Sequence, residues 1–196
     1  MGRPSLLSVL TCLLAAAVPG AVPPNIVAEG VPAVTPALTT ELTPYLNLGG
    51  AGFRGWHATR REALVTTRVG DASHLHLMAA PLAKRVALTG GVEPVKSGRM
   101  QPGGTLLLYA ADQGGDENYQ LHLKDLADPQ AKPARLTDGK SRNLSACWSP
   151  DGRRIAYATN RRNGKDNDIV VVEARPPYAE RIVHAGTSSG WSPVEW

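Results

Sequence analysis

Cysteine, aromatic residues and long apolar runs are scarce in this sequence. The 196 residues contain two cysteines, Cys12 and Cys147, and aromatic residues make up 5% of the chain. Cys12 lies in a segment that we expect to be removed, so Cys147 has no internal disulfide partner. No apolar run after residue 20 is long enough to cross a membrane. The net charge is +4, but basic residues are scattered among acids, so we expect no nucleic-acid partner.

The N-terminus has the pattern of a signal peptide, predicted over residues 1–20. Arg3 supplies a positive start, and an apolar run over residues 6–18 is too short to span a bilayer comfortably. We therefore expect an exported product, periplasmic or secreted, with no membrane attachment after cleavage. Residues 21–44 are rich in Pro, Ala, Val and Thr, which predicts an extended lead-in. Residues 41–48 are predicted to form a short helical or irregular segment.

Glycine and proline are abundant, with 20 Gly and 16 Pro. That is too many for long helices but suits short strands and tight turns. The clearest turn is formed by Ser149, Pro150, Asp151 and Gly152. Pro presets φ, Asp bonds its own backbone, and Gly accepts a positive φ. The apolar residues on both sides are therefore predicted to pair as an antiparallel hairpin.

The hairpin pattern recurs along the chain. Trp56, Met100, Trp148 and Trp196 follow one another in steps of 44, 48 and 48 residues, and a turn, a strand, a polar loop and two more strands follow each of the first three. Four short strands per repeat at this period predict propeller blades. The predicted blades cover about residues 53–96, 97–143 and 144–190 of a domain at 45–196, and a fourth begins at 191–196. Since three blades cannot close a ring, the predicted fold is an all-β, partial β-propeller of about three four-stranded blades with an open ring, and the chain is predicted to be a fragment.

An open β-sandwich is the alternative architecture, since it also consists of many short strands. The register of the repeats favours the propeller. The same kind of residue returns at the same place in each repeat, including a closing glycine at Gly91, Gly139 and Gly186. A sandwich gives no reason for such a return. The tryptophans, few as the aromatic residues are, are predicted to act as packing anchors.

The third repeat resembles a β-propeller repeat of the TolB-like type, through W-S-P-D-G at 148–152, R-R-I-A-Y at 153–157 and D-N-D-I-V-V-V at 166–172. Together with Y-L-N-L at 45–48, G-G-D-E-N-Y-Q-L at 114–121 and R-L-T-D-G-K-S-R-N at 135–143, it resembles the N-terminal propeller of prolyl oligopeptidase-like serine peptidases. The first two repeats depart from the motif, because they lack all or part of the Ser-Pro-Asp-Gly turn.

This resemblance implies a propeller that restricts access to a C-terminal α/β-hydrolase domain and contacts a peptide substrate. That hydrolase domain, which carries a Ser, Asp and His triad, is expected to be missing here, so the chain alone is predicted to be inactive. The alternative is a TolB-like periplasmic propeller that acts as a protein-binding module. The residues singled out are those of the structural repeat motif: Trp56, Trp148, Ser149, Pro150, Asp151, Gly152 and Trp196.

No catalytic residue, cofactor or metal ligand is predicted. Residues 186–190 match the nucleophile-elbow pattern G-x-S-x-G formally, but Pro193 leads into another strand where the elbow needs a helix. His74, His76 and His122 are predicted to be structural or surface residues, because facing blades lie too far apart for shared Zn²⁺ ligation.

The segments on both sides of the third repeat's second strand are rich in charged residues. Asp166 and Asp168 lack the glycine and the bidentate Glu of a Ca²⁺ loop, so solvated acids are predicted. A solvated hairpin edge is predicted for five basic residues: Arg153, Arg154, Arg161, Arg162 and Lys165.

Overall fold

The computed structural model describes residues 26–46, 49–128 and 130–196. The chain divides into two compact units, Met1–Leu48 and Gly49–Trp196. The predicted signal peptide lies outside the described residues. Among the described residues, no helix combines the length and the apolar character that a membrane span requires.

In the first unit, helix α1 spans Pro36–Leu46. The extended lead-in is therefore wrong over residues 36–40, whereas residues 41–46 are helical, which is one of the two forms predicted for residues 41–48. The start of the helix has a local cause, since the Thr35 hydroxyl accepts a hydrogen bond from the Leu38 amide at 3.2 Å and Pro36 occupies the first helical position. Thr before Pro is a common helix start, and this signal was missed in a segment read only by its composition.

The second unit consists of three four-stranded antiparallel sheets in which each strand pairs with its neighbour in sequence. The first sheet contains β1 (Ala51–Trp56), β2 (Ala63–Val69), β3 (Ala72–Met78) and β4 (Val86–Ala87). The second contains β5 (Val95–Met100), β6 (Leu106–Ala111), β7 (Gln120–Asp125) and β8 (Ala134–Arg135). The third contains β9 (Asn143–Trp148), β10 (Arg154–Thr159), β11 (Asp168–Glu173) and β12 (Glu180–His184). The fold is all-β, and the three sheets are the blades of a partial, open propeller.

Equivalent pairs of residues recur at the start of each sheet. Trp56 pairs with Ala63, Met100 with Leu107, and Trp148 with Ile155. The alignment of Trp56, Met100 and Trp148 made from the sequence is thus also the alignment of the strand ends. Trp196 lies in the segment after β12, outside any strand.

The middle sheet is covered on both faces, which is why its second strand reads as the unbroken apolar run Leu106–Ala111. Leu107 belongs to a core shared with Leu64 and Leu75 of the first sheet. Leu108, the next residue, belongs to a core shared with Tyr157 of the third sheet. Because successive strand residues point to opposite faces, one strand serves two interfaces. A two-layer sandwich has no sheet covered in this way by two other sheets, so the repeats are blades.

The tryptophans differ in burial according to which blade precedes them. Trp148 faces the second sheet and is 8% exposed, whereas Trp56, at the equivalent place in the first sheet, is 69% exposed. Trp191 and Trp196 are each 45% exposed. The expectation that the tryptophans anchor the core therefore holds for Trp148 and is wrong for the other three, because an anchor needs a facing sheet and not only a repeat position.

Candidate functional site

The turn between the first two strands of each blade has one backbone geometry built from three different side chains. The amides of His57, Gln101 and Ser149 each donate to the carbonyl five residues ahead, at 2.7, 2.8 and 2.8 Å. In the first two blades the side chain satisfies turn amides directly: His57 Nδ1 accepts from Thr59 and Arg60, and Gln101 Oε1 accepts from Leu106. The turn therefore forms without the full Ser-Pro-Asp-Gly sequence in these two blades, because the His57 and Gln101 side chains accept hydrogen bonds from the turn amides.

In the third blade, Ser149 is buried at the centre of the turn. Its hydroxyl donates to Asp151 Oδ1 at 2.6 Å and accepts from the Arg154 amide at 2.9 Å. The hydrogen bond from Ser149 and the one from the Arg153 amide lower the pKa of Asp151. Gly152 has φ of 66°, the positive value expected for this turn.

The turns of neighbouring blades also touch each other. Gln101 Nε2 donates to the Gly152 carbonyl at 2.8 Å. A Cβ added to Gly152 would lie 2.6 Å from the Pro102 carbonyl oxygen. Gly152 therefore allows both the positive φ and the close approach of the adjacent blade. The turn of the third blade therefore also forms part of the contact with the second blade, which sequence reasoning did not predict.

Where the first strands of the three blades end, they border one cleft of about 410 Å³. Each blade contributes to the cleft the tryptophan or methionine that ends its first strand, together with the residue before it. The C-terminal segment borders the same cleft. Its lining includes Arg54, Trp56, Arg99, Met100, Cys147, Trp148, Glu195 and Trp196. Of the repeat-motif residues, Trp56, Trp148, Pro150 and Trp196 meet here, whereas Ser149, Asp151 and Gly152 lie in the adjoining turn and are not among the lining residues.

A second cleft, of about 310 Å³, adjoins the first between β5 and β9. Lys96, Arg99, Tyr119 and Asn143 are among its lining residues. Arg99 lines both clefts. The two clefts therefore form one surface along the first strands, which we call the inner-strand surface.

Cations dominate the inner-strand surface. Strands β1, β5 and β9 carry Arg54, Lys96 and Arg99 and no acidic residue. Arg54 donates to the Thr66 hydroxyl at 2.6 Å, and the Lys96 ammonium lies 5.4 Å from the Tyr119 ring centre. Within the described part of the chain, none of the three forms an ion pair with a carboxylate. Their charge is therefore available to a ligand.

Aromatic side chains stand beside these cations. The Trp148 indole donates to the Arg99 carbonyl at 3.3 Å, which ties the third blade to the second at the cleft. Trp56 packs edge-on against Phe53 with ring centres 5.3 Å apart, and the Arg154 guanidinium lies 5.3 Å from the Trp196 ring. Exposed aromatic faces next to arginine suit an extended peptide chain.

Cys147 lies in the cleft but has the properties of a core residue. It is 8% exposed, and burial raises the pKa of its thiol. A thiol kept protonated is a poor nucleophile. The prediction that Cys147 is a small buried hydrophobe agrees with its contact with Ala156 and Val171.

The G-x-S-x-G match at residues 186–190 does not build an elbow. Gly186 follows the end of β12 after one residue, Ala185, and no helix follows within residues 186–196. Ser188 Oγ accepts a hydrogen bond from the Gly190 amide at 3.3 Å. Asp168, the nearby carboxylate, is instead bonded to Arg162 and the Gly186 amide. The segment is a loop that closes the blade.

The histidines of the first two blades serve separate local structures. His76 Nδ1 lies 3.0 Å from the Thr67 hydroxyl, and His74 Nε2 lies 3.1 Å from the Gly91 carbonyl. His122 stacks on Tyr109 with ring centres 5.1 Å apart. Burial lowers the pKa of both His76 and His122, which favours the neutral form of each ring.

The prediction of solvated charges at the third hairpin is wrong for Asp168, whereas the side chains of Arg153, Arg161, Arg162 and Lys165 are exposed, as predicted. Asp168 is 1% exposed, and Arg162 reaches over it, with Nε 2.9 Å from Oδ2 and Nη2 3.0 Å from Oδ1. The guanidinium of Arg162 and the Gly186 amide lower the pKa of Asp168. Arg161 pairs with Glu180 at 2.6 Å, and Arg154 lies over Trp196. Charge alone predicted solvation, but neighbouring strands supplied partners.

Residues 90–184 match the family described as prolyl oligopeptidase, N-terminal beta-propeller domain. Over these residues the chain is similar to that propeller family. The matched residues comprise the second and third blades, including two of the three strands that border the inner-strand surface.

Solved structures extend the likeness to the fold of a further protein. A putative TolB from Agrobacterium tumefaciens superposes with a TM-score of 0.53 and 20% sequence identity. The match covers 64% of this chain and 43% of the other, so the chain spans less than half of that structure. This likeness concerns the propeller fold alone. No curated protein matches the chain significantly.

Proposed function

We propose that this chain is the propeller portion of an exported serine peptidase of the prolyl oligopeptidase type, and that it restricts access to a hydrolase site and contacts the peptide substrate. The observation that carries the proposal is the family match over residues 90–184, together with the clefts along the first strands of the same blades. The chemistry belongs to an α/β-hydrolase domain outside these 196 residues. The propeller contributes selection of the substrate.

The contact role fits the inner-strand surface. A peptide in extended conformation offers amide groups, apolar side chains and charged ends, and the cleft offers tryptophan faces and free guanidinium groups. A cleft of about 410 Å³ accommodates a short peptide segment. A folded protein is too large to enter such a space, so the surface favours short substrates.

The proposal is tested on the gene and on the protein. Downstream of the codon for Trp196, we expect a G-x-S-x-G sequence between a predicted strand and a predicted helix. The longer product should cleave short Pro- or Ala-containing chromogenic peptides and leave folded proteins intact. A downstream sequence without such an elbow would favour the alternative, a propeller that acts only as a protein-binding module.

The 196-residue chain by itself should not hydrolyse these peptides, because in the described part of the chain the Ser188 hydroxyl is hydrogen-bonded to the Gly190 amide and to no general base. The measurement is release of the chromophore by the purified chain, with Ser188→Ala as the matched variant. Hydrolysis that disappears in Ser188→Ala would contradict both this expectation and the interpretation of residues 186–190 as a blade-closing loop.

A further inference from the structure

The distribution of charge on the inner-strand surface points to the kind of peptide that binds there. The first strands of the three blades carry three cations and no anion, and Glu195 is the one acid that lines the 410 Å³ cleft. Elsewhere on the third blade, Arg161 and Arg162 are each paired with a carboxylate. Within the described residues, Arg161 and Arg162 thus have carboxylate partners, whereas Arg54, Lys96 and Arg99 have none.

We propose that the inner-strand surface binds acidic peptides, with Arg54 and Arg99 receiving carboxylate groups of the ligand. This inference rests on the proposed contact between propeller and substrate, and it names the substrate class. The carboxylates are Asp or Glu side chains or the free C-terminus of the peptide.

The geometry of the two arginines supports this role. Arg54 lies on the first blade and Arg99 on the second, and both line the same cleft, so one bound peptide can reach both. The Arg54 Nε is occupied by Thr66, which holds the side chain in place and leaves its terminal nitrogens for a ligand. A planar guanidinium donates two parallel hydrogen bonds to a carboxylate, which makes arginine well suited to this role.

Lys96 and the tryptophans complete the surface. Lys96 lies beside Arg99 in the second cleft, so a peptide that extends along β5 meets a further cation. Trp56 and Trp196, both exposed, offer faces for the apolar side chains between the acidic ones. Three cations and these faces suit a short peptide, whereas a nucleic acid requires a longer basic stripe that tracks its phosphates.

The test is fluorescence anisotropy of two labelled peptides with the purified 196-residue chain. One is Ala-Pro-Glu-Ala-Glu-Ala with a free C-terminus, and the other has Gln in place of Glu and an amidated C-terminus. We expect the acidic peptide to bind about tenfold more tightly in low salt, and the difference to shrink at high salt. The double variant Arg54→Gln, Arg99→Gln should abolish this preference. Lys84→Gln, at an exposed site between β3 and β4, is the matched control and should keep it.

Circular dichroism of the double variant verifies that the fold is intact. A second double variant, Arg54→Lys with Arg99→Lys, keeps the positive charges but loses the planar guanidinium groups, and it should retain part of the preference for the acidic peptide. Equal affinity for the two peptides, with binding reduced by Trp56→Ala, would overturn the acidic preference and leave the proposed substrate contact in place. Absence of binding by either peptide would overturn both. Displacement of the acidic peptide by an equal concentration of a single-stranded oligonucleotide would also overturn the proposal, because the surface would then bind polyanions in general.

Discussion

Trp148 and Trp56 occupy the same place in successive repeats but differ in burial, and this pair tests the packing of the blades directly. Trp148 is 8% exposed and contacts the core that the second and third blades share, whereas Trp56 is 69% exposed. Replacement of each by Ala removes the same atoms at the same register position. Any difference in the free energy of unfolding therefore reports the facing blade.

The expected magnitudes follow from these contacts. Trp148→Ala deletes a buried indole and leaves a cavity, which costs about 3–5 kcal/mol. It also leaves the Arg99 carbonyl without its 3.3 Å hydrogen bond. Trp56→Ala removes an exposed ring whose edge-on contact with Phe53 contributes about 1 kcal/mol. Because a domain of this kind is stable by only about 5–15 kcal/mol, the first change removes a large part of the total and the second does not.

The assay is urea unfolding followed by far-ultraviolet circular dichroism, which does not depend on the deleted tryptophans. With a slope of about 2 kcal/mol per molar urea, Trp148→Ala should lower the midpoint by about 1.5–2.5 M and Trp56→Ala by about 0.5 M. Equal shifts for the two variants would refute the reasoning, since Trp148 would then gain nothing from the sheet that faces it.

Two further predictions concern the third blade. Gly152 and Gly164 both have positive φ, but of the two only Gly152 has a backbone oxygen within 4 Å of an added Cβ. Gly164→Ala should therefore lower the free energy of unfolding in urea by about 1–2 kcal/mol, and Gly152→Ala should lower it clearly more. Equal losses would contradict the close contact between the second and third blades at Gly152. The pKa of Asp168 is lowered in the folded state. Its ionised carboxylate therefore stabilises the fold at pH values above the pKa of Asp in the unfolded chain, and this stabilisation is lost as the pH falls through the lower pKa of the folded state. Arg162→Ala should thus reduce stability at pH 7, with a difference from the parent that shrinks in acid below pH 3.8. Arg153→Ala, on an exposed side chain, should show little loss at either pH, and a pH-independent effect of Arg162→Ala would mean that the ion pair is not its cause.

The repeats could be predicted from the sequence because local chemistry sets them. Pro150 and Gly152 restrict the backbone to a tight turn, and apolar runs such as Leu106–Ala111 specify strands that are buried on both faces. Such signals act over a few residues, so they are legible in one chain without its neighbours. The same locality explains the other two turns. The Gln101 side chain accepts from the amide five residues ahead, as the Ser149 hydroxyl does in the third blade, and the His57 ring accepts from the amides two and three residues ahead.

Only the tertiary structure decided which side chains are buried and which residues they contact. Trp56 and Trp148 are identical in type and position, yet only Trp148 has a preceding blade to cover it. Arg162 and Asp168 look like a solvated pair of charges in sequence, but the carboxylate is buried because β12 and the Gly186 loop close over it. The inner-strand surface likewise exists only because β1, β5 and β9, about 45 residues apart in sequence, meet at one cleft. The sequence by itself determined which strands and turns form, because these depend on residues close together along the chain. The packing of one blade on the next determined which side chains are covered or paired, because that depends on residues far apart along the chain.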